Sequence, residues 1–352
     1  CNSLMLRKNE IYKFDDVEVY KIAYPYDFEK LNGLKRKFHI LLAMFYEFYY
    51  SYKFIKKKKI NNYNLIHTFG NSWSIAFLTY YFYLKKKPII RELVNNMNTP
   101  YYPIQFEKFF RRVFQKNNTL MIAISQKLEE LCIKFGVKNI WKRMNPIEEK
   151  KFFLVDKEEK LKLRLKLTNF YKEDIILTHI ASYMKQKNHI FILDILKKLP
   201  KKYKLFLGGP VECDEHRENF ELVQNKIKEL NLNERVTLNK GFIPNIDEHI
   251  KLCDVFLFPT WNEALGTPIL EAQACGVPVV ANLMPGSSDS LIKEGVGGYL
   301  VEKFDVEIWA EKIELALNIN DETLRENSSN ILKIASTKNI DEEYFKKINS
   351  II

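Results

Sequence analysis

The stretch Val255–Asn282, which reads VFLFPTWNEALGTPILEAQACGVPVVAN, constrains the fold more than any other part of the chain. The apolar run Val255–Phe258 predicts a buried strand, and the polar residues after it predict a loop that leaves its carboxyl end. A short helix and a second apolar run, Val277–Ala281, follow. Because a strand, a crossover helix and another strand form one βαβ unit, the stretch predicts a parallel α/β sheet.

The two ends of the short helix carry residues that suit helix ends. Thr267 can act as the N-cap, and Pro268 is well placed at the first helical position. Gly276 suits the residue just beyond the last turn. A helix that begins at the carboxyl edge of a parallel sheet presents free backbone N–H groups and a positive dipole end, so this turn is predicted to bind an anion.

Two carboxylates flank this turn. Glu263 lies in the loop, and Glu271 lies in the helix eight residues later. Gly266 and Pro268 lie between them, so the two cannot share one helical face, but both can point into one crevice from different heights. Carboxylates accept strong hydrogen bonds from the hydroxyls of a sugar or ribose. The alternative is structural: Glu263 caps a helix start, and Glu271 is a solvated helix residue.

The same alternation of strands and helices extends over most of the chain. Strands are expected at 17–22, 64–67, 88–93, 120–124, 175–180, 204–207, 236–238, 255–258 and 277–281, with helices at 38–54, 73–84 and 125–133. The pattern predicts an α/β protein of two doubly wound, Rossmann-like domains that face each other across a cleft, with ligands at the carboxyl ends of the strands. We expect an N-terminal domain over residues 1–147, a C-terminal domain over 148–338 and a last helix over 339–352 that packs toward the N-terminal domain.

The charge is divided unevenly between the two halves. The 352 residues, of which 46% are apolar and 14% aromatic, allow two cores of ordinary size and exclude global disorder. Residues 1–150 carry 27 Lys and Arg against 13 Asp and Glu, a balance of +14, whereas the rest has a balance of −3. Either these lysines end solvated helices, or the basic and aromatic face around helix 38–54 lies on anionic membrane lipid. No recognised motif accompanies the charge, so no nucleic-acid partner is expected.

The cysteines and the longest uncharged run bear on where the chain resides. Five cysteines are widely spaced without a C-x-x-C pair, which argues against a disulfide framework or a zinc site and favours a reducing cytoplasm. The run Ile60–Leu84 contains four Asn residues and Gly70 and is too polar for a membrane span. We therefore expect a cytoplasmic protein, peripheral on the inner face of the plasma membrane. The chain begins with Cys1, which we interpret as a missing natural N-terminus; a lipidated Cys1 is the alternative.

The pattern P-T-x-x-E-A-x-G-x-P-I-L-E-A-x-A-C-G-V-P-V-V-A over residues 259–281 resembles the donor-site signature of the family-4 retaining glycosyltransferases, which adopt the GT-B fold. Three other segments resemble elements of that family in the same order: YMKQKNH (183–189), KLFLGGP (204–210) and ERVTLNKG (234–241). The resemblance covers about residues 60–310. It implies transfer of a sugar from a nucleoside diphosphate sugar to an acceptor hydroxyl, with retention and without a metal or other cofactor.

The resemblance also assigns roles to residues of the site. Lys187 would neutralise the leaving diphosphate, Glu263 would hold hydroxyls of the transferred sugar, and Glu271 would hold the ribose of a UDP- or GDP-sugar donor. The other implied donor-binding residues lie in loops or at strand ends: Ser182, Gly209, Phe242, Leu265, Gly266 and Thr267. The backbone N–H groups of the last three would contact the sugar or the phosphate.

The chain departs from the family pattern in two places. The family carries Gly-Arg before its phosphate-binding lysine, where this chain has Ala181 and Ser182, so one cation is missing. Residues 1–16 show neither the first apolar strand nor the glycine-rich loop of the family, which indicates a truncated first domain.

His67, Arg91 and Glu92 end predicted strands of the basic half and are candidates for the acceptor or transferred-sugar site. Their structural alternatives are a core histidine and an ordinary ion pair. The resemblance implies a sugar or lipid-linked acceptor in cell-surface polysaccharide or glycolipid synthesis. Two other functions stay open, namely a sugar-nucleotide epimerase or phosphorylase on the same fold, and a non-catalytic protein that binds a membrane or another protein.

Overall fold

The computed structural model describes residues 10–14, 17–21, 33–57, 63–70, 72–101 and 104–352. The chain divides into two compact units: unit 1 comprises residues 1–122, 131–141 and 348–352, and unit 2 comprises residues 123–130 and 142–347. The expectations for Cys1, for the other residues before Glu10 and for the last residue of the strand predicted at 17–22 lie outside the described residues.

The elements up to residue 142 form a hairpin and a small sheet. They are β1 (Glu10–Phe14), β2 (Val17–Lys21), α1 (Gly33–Lys57), β3 (Ile66–Phe69), α2 (Trp73–Leu84), β4 (Ile89–Leu93), α3 (Glu107–Val113), β5 (Thr119–Ala123), α4 (Gln126–Lys134) and β6 (Ile140–Lys142). β1 and β2 pair antiparallel. The sheet has the order β3-β4-β5-β6, and β3 and β4 run parallel with His67 opposite Ile90 and Phe69 opposite Glu92.

Hydrogen bonds join helix α1 to the first turn of helix α2. The Ser72 hydroxyl caps α2 by accepting from the N–H of Ile75 at 3.4 Å. The buried carboxylate of Glu47 in α1 accepts from both the N–H and the hydroxyl of Ser74, at 2.7 and 3.0 Å. A buried carboxylate is tolerated only when its oxygens are bonded in this way, so Glu47 fixes the start of α2 against α1. Among the described helices, none is both long and apolar enough to cross a membrane.

The elements after residue 142 build a larger sheet covered by helices. They are α5 (Lys157–Leu167), β7 (Ile175–Ile180), α6 (His189–Lys198), β8 (Tyr203–Gly209), α7 (Asp214–Glu229), β9 (Val236–Lys240), α8 (Ile246–Lys251), β10 (Val255–Phe258), α9 (Thr267–Ala274), β11 (Val279–Asn282), β12 (Gly298–Val301), α10 (Val306–Leu317), α11 (Asp321–Ala335) and α12 (Thr337–Asn349). The six strands run in the order β12-β11-β10-β7-β8-β9, and every pair is parallel.

The strand order of unit 2 is that of a doubly wound sheet. The chain adds strands on one side of β7, from β8 to β9, and then returns to add β10, β11 and β12 on the other side. The order therefore reverses between β7 and β10, which is the switch point where ligands bind in such sheets. Apolar side chains of β7, β8, β10, α6 and α10 form its core, with Trp309 and Tyr183 fully buried. The prediction of an α/β fold with a parallel sheet in each half is confirmed.

Several element bounds match the sequence analysis, and others do not. The strands 175–180 and 255–258 and the helix 73–84 agree residue for residue. The strand expected at 64–67 lies two residues later, because its pairing with β4 sets its position. Strand β1 was not predicted, because a segment of five residues carries little signal in the sequence before its pairing with β2 is known.

The ends of β7 and β8 approach each other closely at a glycine. The N–H of Ala181 donates to the carbonyl of Gly208 at 2.9 Å. At the next residue, Gly209, an added Cβ would lie 1.9 Å from the carbonyl oxygen of Ala181. A backbone atom cannot move aside as a side chain can, so only glycine fits at this position.

We predict that Gly209→Ala lowers the free energy of unfolding by about 2–3 kcal/mol, the cost of overpacking a closed site. The matched control is Gly241→Ala, which follows the next strand, also has a positive φ and has no neighbour within 4 Å of an added Cβ. It should cost about 1 kcal/mol, from backbone strain alone. Urea unfolding followed by circular dichroism measures both, and an equal cost for the two variants would contradict the close approach.

Candidate functional site

The predicted site lies at the switch point of the unit 2 sheet. Strands β7 and β10 are neighbours and pair in parallel there. Two loops leave their carboxyl ends, residues 181–188 after β7 and residues 259–266 after β10. No helix separates the two loops, so their side chains can act on one ligand.

Lys187 is placed by a short turn in the loop after β7. The N–H of Met184 donates to the carbonyl of Ser182 at 2.7 Å, and the N–H of Lys187 donates to the carbonyl of Met184 at 3.0 Å. Asn188 then adopts a left-handed conformation with φ 57°, and α6 begins at the next residue. These bonds fix the backbone from which the Lys187 side chain extends.

Lys187 and Glu263 form an ion pair that joins the two loops. The ammonium of Lys187 donates to Oε2 of Glu263, and the two side chains are 16% and 26% exposed. Beside the pair, the N–H of Trp261 donates to the carbonyl of Gln186 at 3.2 Å. A partly buried pair is screened little by salt, so it holds the loops together. The two residues predicted to be catalytic are thus in direct contact, while their roles stay predictions.

The predicted cap of the helix after Glu263 was wrong. Gly266, not Thr267, is the N-cap of α9, and Pro268 occupies its second position. Gly266 has φ 96° and ψ 51°, a left-handed conformation that favours glycine. The Thr267 hydroxyl instead accepts from the side-chain amide of Asn145 at 2.8 Å. Because no side chain caps α9, its first N–H groups are available to a ligand.

Two polar side chains bond to the loop after β10, a third bonds to one of those two residues, and the sequence analysis assigned no role to any of them. The amide of Asn282 donates to the carbonyl of Thr260 at 3.2 Å, and the Ser287 hydroxyl donates to the carbonyl of Leu265 at 2.9 Å. The Ser288 hydroxyl donates to the carbonyl of Asn282 at 2.7 Å. All three side chains are buried. Asn282 ends β11, and Ser287 and Ser288 follow five and six residues later, so the signal in the sequence was only that polar residues stand at and after an apolar strand, where burial requires partners.

Glu271 lies one turn into α9 in a different environment from Glu263. Burial raises the pKa of Glu271 to about 7. Such a carboxyl stays largely protonated below neutral pH, and a ligand that donates hydroxyl hydrogen bonds to it would favour its ionised form. The interpretation of Glu271 as a solvated helix residue does not fit this burial.

Two histidines, one on each side of the loop that carries Lys187, have structural roles. Nδ1 of His179 lies 2.9 Å from the carbonyl oxygen of Leu257, and burial lowers the pKa of His179 to about 4. His189 stacks on Tyr183 with ring centroids 4.6 Å apart, and burial lowers its pKa well below the ordinary value. Both rings are therefore neutral near pH 7 and form an uncharged support for the loop.

The remaining donor-side candidates lie at neighbouring strand ends. Ser182 is half-buried in the loop after β7, and Gly209 ends β8 against Ala181. Phe242 follows β9 by two residues and is 82% exposed, so its ring is available to a ligand.

The candidates of unit 1 divide into a partly exposed pair and a core residue. Nε2 of His67 lies 3.2 Å from a carboxylate oxygen of Glu92, with both side chains partly exposed. Arg91 is only 1% exposed and lies over the Phe110 ring at 5.0 Å, and burial lowers its pKa to about 10. This placement favours a structural role for Arg91 and leaves His67, paired with the largely buried Glu92, as the more accessible candidate.

The family comparison covers the region that builds this site. Residues 164–333 match the family described as Glycosyl transferases group 1, and they include Lys187, Glu263 and Glu271. The matched region thus includes both switch-point loops, the ion pair and α9.

Curated relatives are similar to this chain over part of their length. CapM of Staphylococcus aureus, named a capsular polysaccharide biosynthesis glycosyltransferase, is 29% identical over 218 residues, which are 59% of this chain and 54% of CapM. An Escherichia coli protein named UDP-Gal:alpha-D-GlcNAc-diphosphoundecaprenol alpha-1,3-galactosyltransferase is 24% identical over 62% of this chain and 58% of its own length. The chain thus spans little more than half the length of these relatives.

A solved structure shares the fold of this chain. HepE of Anabaena, determined in complex with UDP and glucose, has a TM-score of 0.71 at 18% sequence identity, over 85% of this chain and 81% of HepE. This likeness confirms the GT-B fold expected from the sequence.

We predict that Glu271→Gln stabilises unit 2 at pH 8 by up to about 3 kcal/mol, because a pKa of about 7 in the folded state, against 4.5 in the unfolded state, penalises the ionised folded form. Because the pKa is raised, the free energy of unfolding of the wild type falls relative to that of the variant as the pH rises from about 4.5 to about 7. Above pH 7 the difference between the two proteins is constant. Thermal unfolding at pH 4, 6 and 8 measures it. The exposed Glu218→Gln is the control, and a gap for Glu271→Gln that is independent of pH would contradict the burial of the carboxyl.

Proposed function

We propose that this chain is a glycosyltransferase that moves a sugar from a nucleoside diphosphate sugar to an acceptor hydroxyl, with retention of configuration. The observation that carries the proposal is the contact between Lys187 and Glu263 at the switch point of a group 1 glycosyltransferase domain. One cation and one carboxylate at that place suit the reaction. The cation would stabilise the negative charge of the departing diphosphate, and the carboxylate would accept hydrogen bonds from the hydroxyls of the sugar.

The positive groups of the site act on the leaving group. Breaking the bond between sugar and diphosphate develops negative charge on the diphosphate and positive charge on the sugar ring. The Lys187 ammonium and the backbone N–H groups of Leu265, Gly266 and Thr267 at the start of α9 would stabilise the negative charge. One well-placed donor of this kind contributes about 3–4 kcal/mol. The Ser182 hydroxyl adds a neutral donor where the family has a cation.

The two glutamates would hold hydroxyl groups of the donor. Glu263, fixed by Lys187, would accept from the transferred sugar, and Glu271 would accept from the ribose. Hydroxyl donors favour the ionised carboxylate, so nucleotide binding would lower the raised pKa of Glu271. The exposed ring of Phe242 would stack on the base, and Gly209 would let the backbone come close to the nucleotide.

We propose further that the acceptor attacks from the face that the diphosphate leaves, and that the leaving phosphate takes the acceptor proton. Glu263 already bonds to Lys187, which supports a hydrogen-bonding role rather than that of a nucleophile. Trapping a sugar covalently bound to Glu263 would contradict this route. Lys187 and the start of α9 would supply the positive charge, so we expect activity to persist in excess EDTA.

The substrates are proposed from the relatives. HepE was determined with UDP and glucose, so UDP-sugars are the first donors to test, with GDP-sugars beside them. The names of CapM and of the E. coli relative concern capsular polysaccharide and a sugar on a diphosphoundecaprenol carrier. We therefore propose a sugar or lipid-linked acceptor in polysaccharide or glycolipid synthesis, with His67 and its partner Glu92 as candidate ligands in unit 1.

We predict that Lys187→Ala lowers kcat for release of nucleoside diphosphate about 10²- to 10³-fold, because the leaving group loses its fixed cation. Lys185→Ala removes an exposed lysine from the same turn and should retain full activity. A panel of UDP- and GDP-sugars in a coupled assay measures both variants. Full activity of Lys187→Ala, or an equal loss in both, would contradict the assignment.

Helix α1 supports a peripheral membrane location. Large apolar side chains recur at spacings of three and four residues along one face, each between 47% and 86% exposed: Leu34, Phe38, Leu41, Phe45, Tyr49 and Tyr52. At 100° per residue the six lie within about 80° of arc. Lys35, Lys53 and Lys56 are exposed beside this row. An apolar and aromatic row flanked by lysines suits the interface of an anionic bilayer, which we propose as its occupant.

We predict that the double variant Leu41→Glu/Phe45→Glu no longer sediments with vesicles of phosphatidylglycerol at low salt, because two apolar contacts become repulsive charges. Binding of the wild type should weaken as salt rises. The control is Leu165→Glu/Tyr171→Glu, which replaces two exposed apolar residues of unit 2. Equal vesicle binding by both double variants, or no binding by the wild type, would rule out this membrane face.

A further inference from the structure

A cavity of about 590 Å³ lies at the edge of the unit 2 sheet opposite to the Lys187–Glu263 pair. Residues that precede strands border it: Lys172 before β7, Asp254 before β10 and Pro278 before β11. In a parallel sheet these positions share the amino edge, whereas the donor-side loops leave the carboxyl edge. The four residues of β10 separate the two edges by roughly 13 Å. The proposed transferase reaction makes no use of this cavity.

The floor of the cavity is apolar. Its apolar lining includes Leu154, Leu161, Val277, Leu317 and Leu324. The volume falls within the range of about 300–1,000 Å³ that is typical of small-molecule sites. The cavity therefore has room for a small molecule with a carbon skeleton.

The walls of the cavity are basic. Six cationic side chains border it, namely Lys157, Lys160, Arg164, Lys172, Lys251 and Arg325, against three carboxylates, Asp156, Asp254 and Asp321. The excess is three positive charges. An excess of this size at the mouth of an apolar cavity attracts an anion.

All three carboxylates are occupied within the protein. Asp254 lies 2.5 Å from the Arg164 guanidinium and 3.0 Å from the Lys160 ammonium, and it also accepts from the N–H of Ile176. Burial alone would raise the pKa of Asp254, but the two cations and this hydrogen bond hold it below its ordinary value. The other two are engaged as well, Asp321 by Lys157 at 2.8 Å and Asp156 by the N–H of Glu159 at 2.8 Å.

The cations that border the cavity differ in whether a carboxylate of the protein pairs with them. Lys251 is paired, because it bonds to Asp247, which does not line the cavity, at 2.9 Å. Lys172 and Arg325 are both exposed, and neither forms a direct ion pair with any residue that the structure describes, although Arg325 is near enough to Asp321 to contribute to the lowered pKa of that carboxyl. Arginine offers a planar fork of donors and lysine a compact charge, a combination that suits phosphate oxygens.

We propose that this cavity binds a small molecule that carries a phosphate monoester, with the phosphate at Lys172 and Arg325 and the carbon skeleton on the apolar floor. The dianion would neutralise two of the three excess charges, and the skeleton would cover the apolar side chains. The site is separate from the donor site in place and in chemistry, and it holds whether or not the chain transfers sugars.

Phenyl phosphate is a suitable probe, because it joins a phosphate monoester to an apolar ring. Isothermal titration calorimetry of the full chain should show one site. The double variant Lys172→Glu/Arg325→Glu should weaken binding at least tenfold. The control is Lys201→Glu/Lys333→Glu, which makes the same charge change at two exposed lysines outside the cavity lining and should bind as the wild type does. Inorganic phosphate and phenol, tested alone, should each bind more weakly.

Lys187→Ala separates this site from the donor site. The proposal expects Lys187→Ala to retain phenyl phosphate binding, and it expects the same if the chain fails to bind or turn over any nucleotide sugar. Loss of binding in Lys187→Ala with retention in Lys172→Glu/Arg325→Glu would place the phosphate at the switch point and overturn the proposal. Absence of binding to the wild type, or unchanged binding in Lys172→Glu/Arg325→Glu, would overturn it as well.

Discussion

The position of the candidate site depends on the parallel pairing of β7 with β10, because the loops that carry Lys187 and Glu263 follow these two strands. Leu177 lies opposite Val255 and Thr178 opposite Phe256, and at the start of the pair Asp254 and Ile176 exchange two hydrogen bonds. The strand order reverses at this pair, so the loops beyond it emerge side by side. Lys187 and Glu263, 76 residues apart in sequence, meet for that reason.

The electrostatic surroundings of the two glutamates of the site, Glu263 and Glu271, differ. Glu263 has a cation beside it, whereas partial burial raises the pKa of Glu271 to about 7. One carboxylate is thus held in place before a ligand arrives, and the other gains when a ligand brings hydroxyl donors. The two edges of the sheet differ in a similar way, since the carboxyl edge carries a matched ion pair and the amino edge carries unmatched cations.

Sequence reasoning worked best where one segment carries its own signal. The apolar strand at 255–258 and the helix at 73–84 were predicted residue for residue, because hydrophobic runs and end residues act locally. It was wrong at the α9 cap, where the backbone of Gly266 took the position and Asn145, more than a hundred residues away, bonded the Thr267 hydroxyl. It also missed Asn282, Ser287 and Ser288, which have partners only in the folded loop.

The order and type of elements along the chain, the motif around Glu263 and the family resemblance were readable from the sequence by itself, because each is written in residues adjacent along the chain. Tertiary structure alone decided that Lys187 bonds to Glu263, that Glu271 is buried enough to raise its pKa, and that Arg91 belongs to the core. Each depends on the distance between residues remote in sequence and on the water removed from around them. Neither quantity exists until the strands have paired and the helices have packed on them.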